Sequence, residues 1–267
     1  MFTQLKEKIL LKKGTVTYQG NYDTWEEANM YCEGYDSQVI FDKVKEAALM
    51  VKQGKACYER DSQLFYKKEY NYPLLFHLGI AAKENENILK VIDWGGSLGS
   101  TYFQNQEMLQ KNFKNFTWTI IEQEHFVKFG RELLRDDYLD FANNFSEVKN
   151  LKEYNVILLS SVLQYLSFHL DLINDILKIC PDYIIIERTP VGNRKRIWIE
   201  RVREPIYNAS YACCVFKEED LISLFCDNGY IMVDNWDSLV DGEIHEKDET
   251  VRLRSLVFKR KHRRYVV

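Results

Sequence analysis

The run Val91-Ile92-Asp93-Trp94-Gly95-Gly96-Ser97-Leu98-Gly99-Ser100-Thr101 passes from branched apolar residues into three glycines and on into residues that start a helix. Glycine has no Cβ and tolerates positive φ, so backbone in such a bend can approach a ligand closely. The unpaired N–H groups of the helix start point into the same space. Downstream, residues 117–121 form a second strand run that ends in Glu122, twenty-three residues beyond Gly99. A carboxylate there can accept hydrogen bonds from both hydroxyls of a ribose. Loop and acid together predict a nucleoside site.

Outward from this pair the chain keeps one rhythm. Short branched or aromatic runs at 88–94, 117–122, 156–161, 183–187 and 230–233 alternate with helix-length segments. Because the runs are nearly continuously apolar, both faces must be covered, which predicts an α/β fold with a mostly parallel sheet flanked by helices. Glu218, Glu219 and Asp220 mark a last helix start and Gly229 its end, with the next strand following at once. A polar connection over 237–250 suits a hairpin, so the last strand, 251–259, is expected antiparallel to its neighbour. Residues 1–82 carry helical spacing, seen at Val39, Ile40, Val44, Ala47, Ala48 and Val51, with Asp23 as an expected N-cap and Pro73 as a helix opener. They read as a helical N-terminal cap. The polar stretch 83–87 separates it from a domain over 83–267.

Composition bounds the rest. The chain has 267 residues, 46% of them hydrophobic, with 36 basic and 40 acidic side chains and a net charge of −4. That length excludes a small stapled module, and the slightly acidic balance argues against general nucleic-acid binding. Seven Lys or Arg residues between Arg252 and Arg264 read as a solvated strand and tail. No apolar run is long enough for a transmembrane span. Six cysteines show no CxxC pair, so neither metal nor disulfide is expected, and a cytoplasmic setting fits.

Dinucleotide sites use the same strand–loop–helix geometry, with glycines at the first, third and sixth positions. Here Gly95, Gly96 and Gly99 fall differently, and Asp93 precedes them by two residues. This resembles motif I of S-adenosylmethionine-dependent methyltransferases, with Ser97 where glycine is usual. Further stretches widen the resemblance: Gly20-Asn21-Tyr22-Asp23-Thr24-Trp25-Glu26-Glu27-Ala28, Gly34-Tyr35-Asp36, Ala56-Cys57-Tyr58-Glu59-Arg60-Asp61-Ser62, Ser160-Ser161-Val162-Leu163-Gln164-Tyr165-Leu166 and Asn208-Ala209-Ser210-Tyr211. Together they resemble a methyltransferase family associated with bacterial O-antigen and capsule polysaccharide gene clusters. The resemblance implies a Rossmann-like class I methyltransferase sheet, S-adenosyl-L-methionine as cofactor, and O-methylation of a surface-polysaccharide precursor, sugar-nucleotide or other small-molecule acceptors included. A phosphate or phosphoramidate group is one candidate acceptor.

By that resemblance Asp93, Gly95, Gly96 and Gly99 line the methionine end, Glu122 the ribose, and Phe141 or Ala142 the adenine, while Ser160 and Ser161 lie at the sheet edge where ligands sit. Methyl transfer needs an aligned acceptor and, for a hydroxyl, a proton acceptor. Glu187, Tyr165, Gln164 and His125 are the candidate catalytic residues, with His169 at the same edge. Arg60, Arg188, Tyr207 and Tyr211 are candidate substrate contacts, the two cations suiting a phosphate. Two other readings use the same loop: an NAD-dependent oxidoreductase, and a non-catalytic S-adenosylmethionine-binding partner protein.

Overall fold

The computed structural model describes residues 16–33, 38–204, 206–238, 243–246 and 249–261. In chain order these form β1 (Val16–Tyr22), α1 (Trp25–Asn29), α2 (Gln38–Lys52), β2 (Tyr58–Arg60), β3 (Gln63–Phe65), α3 (Tyr72–Glu84) and β4 (Ile88–Trp94). Then come α4 (Ser100–Asn112), β5 (Asn115–Ile121), α5 (Glu124–Phe129), β6 (Leu139–Ala142), β7 (Val156–Ser160), α6 (His169–Ile179) and β8 (Tyr183–Gly192). The chain continues through β9 (Arg196–Val202), β10 (Ala209–Lys217), α7 (Glu218–Cys226), β11 (Tyr230–Asp237), β12 (Glu243–Glu246) and β13 (Glu249–Arg260). The Gly34-Tyr35-Asp36 stretch and the end of the basic tail lie outside the described residues.

β4 is the centre of the sheet. It pairs in parallel with β5 on one side and β7 on the other, β6 extends the first side and β8 the second. Leu89, Val91 and Ile92 have no exposed surface, as expected for a strand covered on both faces. The chain turns one way after β4 and returns on its other side, so a crevice opens beyond the carboxyl end of β4, where ligands bind in open α/β sheets. That end carries the glycines. β13 pairs antiparallel with β8 and β11 antiparallel with β13, which matches the expected final antiparallel strand.

β8 runs past the end of β7. Beyond Glu187 it bends at Arg188, whose φ is 51°, and its last residues pair in parallel with β10. β10, β9 and β1 continue from there as an antiparallel extension.

The N-terminal segment is helical over α1, α2 and α3 but also holds three strands. Val16-Thr17-Tyr18 is β-branched and aromatic and finds a partner in β9. β2 and β3 form a hairpin whose two turn residues, Asp61 and Ser62, have φ of 50° and 63°, as a tight hairpin turn demands. Thr24, not Asp23, caps α1: its hydroxyl accepts the N–H of Glu27 at 3.2 Å. On α2 the buried face contains Phe41 in place of Val39, which is exposed. The sequence spacing was compatible with either. No helix among the described residues is long and apolar enough to cross a membrane.

Candidate functional site

Three left-handed residues shape the loop after β4: Gly95, Ser97 and Gly99, with φ of 73°, 54° and 97°. A Cβ at Gly95 would stand 2.4 Å from the Val162 side chain, and one at Gly96 would stand 2.6 Å from the Asp93 carboxyl. Those contacts, with the positive φ at Gly95, require glycine. The N–H of Gly95 donates to the Ile121 carbonyl at 2.8 Å and ties the bend to the end of β5. α4 then starts at Ser100 with no side-chain cap on its N-terminal amides.

Asp93 is wholly buried beneath this bend. Trp118 Nε1–H donates to its Oδ2 at 3.1 Å, while Oδ1 has no partner among the described residues. Burial pushes the Asp93 carboxyl up to about 7, helped by the nearby charges of Glu187 and Glu122. Glu122, at the end of β5, accepts the N–H of Gln123 at 2.8 Å and a backbone N–H from Ser97. Burial pushes it up to about 7 as well, against those two bonds. Acid and loop are therefore in direct contact. Ser160 and Ser161 border the crevice at the end of β7, and both are half-buried. Phe141 lies deeper: its ring packs against Gly130 in the core and is 1% exposed, with Ala142 buried beside it.

A second wall rises from the ends of β7 and β8 and from the 58–71 stretch. Glu187 is 3% exposed. Its Oε1 accepts from Asn71 Nδ2 at 2.8 Å, Ser160 Oγ donates to Oε2 at 3.4 Å, and burial pushes its carboxyl upward. Arg188 pairs with Asp61 at 3.2 Å. Arg60 lies over the Tyr58 and Phe65 rings and donates to Gln104 Oε1 at 3.4 Å. Gln164 Nε2 donates to Ser161 Oγ and to the Arg188 carbonyl, and its buried Oε1 has no partner among the described residues. Tyr165 donates to Glu200 Oε2 at 3.0 Å and sets its ring edge-on to Tyr211, whose hydroxyl is 3.5 Å from that of Tyr207. Burial pushes all three phenols upward, so they stay neutral donors.

The histidines lie elsewhere. His125 opens the region after β5 and packs its ring 4.8 Å from Phe41. Between β5 and β8 lie three strand spacings, roughly 14 Å, so His125 and Glu187 occupy opposite sides of the crevice. His169 sits at the start of α6, with Nδ1 2.8 Å from the Leu166 carbonyl and its ring edge-on to Phe216. Burial pushes it down, toward the neutral form.

Two carboxylates near this wall were not singled out from sequence. Glu200 interrupts the apolar run Ile197-Trp198-Ile199, and Glu59 stands between Tyr58 and Arg60; both are nearly fully buried. An acid inside a strand-like apolar run is the signal that would have found them, because a buried charge is costly unless something receives it.

No protein-family model matches the chain, and no curated protein matches it in sequence. Solved structures match it in fold. A SAM-dependent methyltransferase from Methanosarcina mazei aligns over 72% of this chain and 99% of its own, with TM-score 0.51 and 10% identity. A SAM-bound amino pentose methyltransferase from Micromonospora echinaspora covers 73% and 92%, at TM-score 0.46 and 10% identity. The 1,6-didemethyltoxoflavin-N1-methyltransferase of Burkholderia thailandensis covers 86% and 95%, at TM-score 0.44 and 12% identity. The mostly parallel sheet, its flanking helices and its antiparallel strand near one edge are those of the class I methyltransferase fold.

Proposed function

We propose that the chain is an S-adenosylmethionine-dependent methyltransferase acting on a hydroxyl of a surface-polysaccharide precursor. One observation carries the donor assignment: the Gly95–Gly99 bend, the Glu122 carboxyl against it and the unpartnered Asp93 oxygen beneath it share the switch point of a methyltransferase-type sheet. The fit is physical. The bend is open to backbone contact, Glu122 has acceptor capacity for a ribose, and Asp93 Oδ1 has no donor among the described residues, which leaves an acceptor for a ligand.

When bound, the donor supplies a methyl group on a sulfonium, an electrophile that needs no metal activation. The chain's residues supply alignment and a place for the acceptor's proton. Glu187 is held by Asn71 and Ser160, and the Tyr165–Glu200 pair adds a second carboxylate with a phenol in front of it. Both carboxylates are buried, and Arg188 pairs with the half-exposed Asp61. This wall supports a neutral hydroxyl acceptor over a phosphate or phosphoramidate, which would meet buried negative charge. Tyr207 and Tyr211 give a flat apolar surface with polar tips, suited to a sugar ring. In this reading residues 1–82 form the cap, lending Arg60 and Asn71 to the wall and β1 to the sheet, and 83–267 form the catalytic domain.

Isothermal titration of the folded protein with S-adenosylmethionine and with NAD tests the donor. Binding of the first alone is expected; NAD binding alone, or neither, overturns the proposal. Transfer of a labelled methyl group into sugar nucleotides separates an enzyme from a protein that only binds.

A further inference from the structure

The hairpin of β2 and β3 carries a buried acid that the proposed chemistry does not use. Glu59 is 3% exposed, yet among the described residues it has no cation at ion-pair distance. Its Oε2 accepts the N–H of Ser62 at 3.1 Å, and its Oε1 accepts the hydroxyl of Ser100, the first residue of α4. The acid thus sits directly beside the exit of the glycine bend. A second, independent feature lies under the same bend: Asp93 is fully buried and its Oδ1 has no donor among the described residues. Two buried acids flank the loop, and among the described residues neither has a positive, hydrogen-donating partner.

Resting on the donor assignment above, we propose that Glu59 receives the ammonium of the donor's amino-acid end, which makes the 58–65 hairpin part of the donor site. An ammonium has three N–H donors, enough for Glu59 and for further acceptors at the bend, and the Ser100 hydroxyl fixes the Glu59 carboxylate. A latch role alone, with the carboxylate merely resting on the start of α4, would stabilise the hairpin whether or not a ligand carries an amino group.

The test compares S-adenosylhomocysteine with 5′-methylthioadenosine, which keeps the nucleoside and lacks the amino-acid end. In titrations with full-length protein, Glu59→Gln is expected to weaken S-adenosylhomocysteine about ten- to hundredfold and to leave 5′-methylthioadenosine within about twofold. Equal loss for both ligands, or no loss for either, overturns the inference. Hydrogen exchange on the unmutated protein answers the same question if the variant does not fold. S-adenosylhomocysteine should slow exchange across 58–65 and 5′-methylthioadenosine should not; equal protection, or none, contradicts the role. Wild-type protein that binds neither compound refutes the donor assignment itself.

Discussion

Glu122, Asp93 and Glu59 are three carboxyls gathered at the glycine bend, and burial acts on all of them in the same direction. Burial holds each near 7, against ordinary values of 4.5, 3.8 and 4.5. The folded chain therefore binds more protons than the unfolded chain between about 4.5 and 7. Stability is then highest at the acid end of that window and falls as pH rises through 7. Thermal unfolding of ligand-free protein from pH 5 to 8 should show that decline. Asp93→Asn, which keeps an acceptor for Trp118, should flatten it, raising the melting temperature at pH 8 but not at pH 5. Trp118→Phe works the other way, removing the indole donor to a buried carboxyl at a cost of about 1 to 3 kcal/mol, read by denaturant unfolding. Glu122→Ala is expected to weaken S-adenosylmethionine by about 1 to 3 kcal/mol while leaving the fold intact; calorimetry measures it.

At the scale of elements, the glycine bend and its helix were legible because their chemistry is local. Glycine at 95, 96 and 99 and an acid after the next strand predict one geometry, and the contacts of Glu122 with Ser97 reproduce it. Gly96→Ala should lower stability by about 1 to 3 kcal/mol, since the new methyl group meets the Asp93 carboxyl. Its melting temperature checks this. The hairpin of β2 and β3 was not legible: each strand has three residues, and its turn uses Asp and Ser in a conformation that sequence does not single out. β9 and β10 were equally hidden. Their pairing partners are far apart in sequence, and Glu200 becomes meaningful only when Tyr165 from another element donates to it. The Asp61–Arg188 pair joins the hairpin to β8, but Asp61 is more than half exposed. Asp61→Ala should therefore cost about 1 kcal/mol or less.

The whole molecule follows from one sheet read in two directions. Five apolar runs in sequence became β4, β5, β7, β8 and β11, and the hairpin expectation became the antiparallel β13 between β8 and β11. Period and apolarity mark β4, β5, β7 and β8, which are buried, but the expectation of cover on both faces fails for β11: Ile231, Met232 and Val233 are 43%, 36% and 42% exposed, since β11 has β13 alone as a strand neighbour among the described residues. Neither signal marks β1, whose residues are partly exposed and whose partner lies some 180 residues away in β9. The same limit explains the histidines: sequence order placed His125 near the carboxyl edge, and only strand order shows how far along that edge it lies from Glu187. On the proposed donor assignment, the crevice between the 95–99 bend and Glu122 holds an adenosyl group. A crystal structure of the protein with S-adenosylhomocysteine measures this directly. The expected result is the ribose on the Glu122 carboxylate and the amino-acid end over Gly95 and Gly96; an empty crevice, or Glu122 turned away from the bound ligand, would contradict the account.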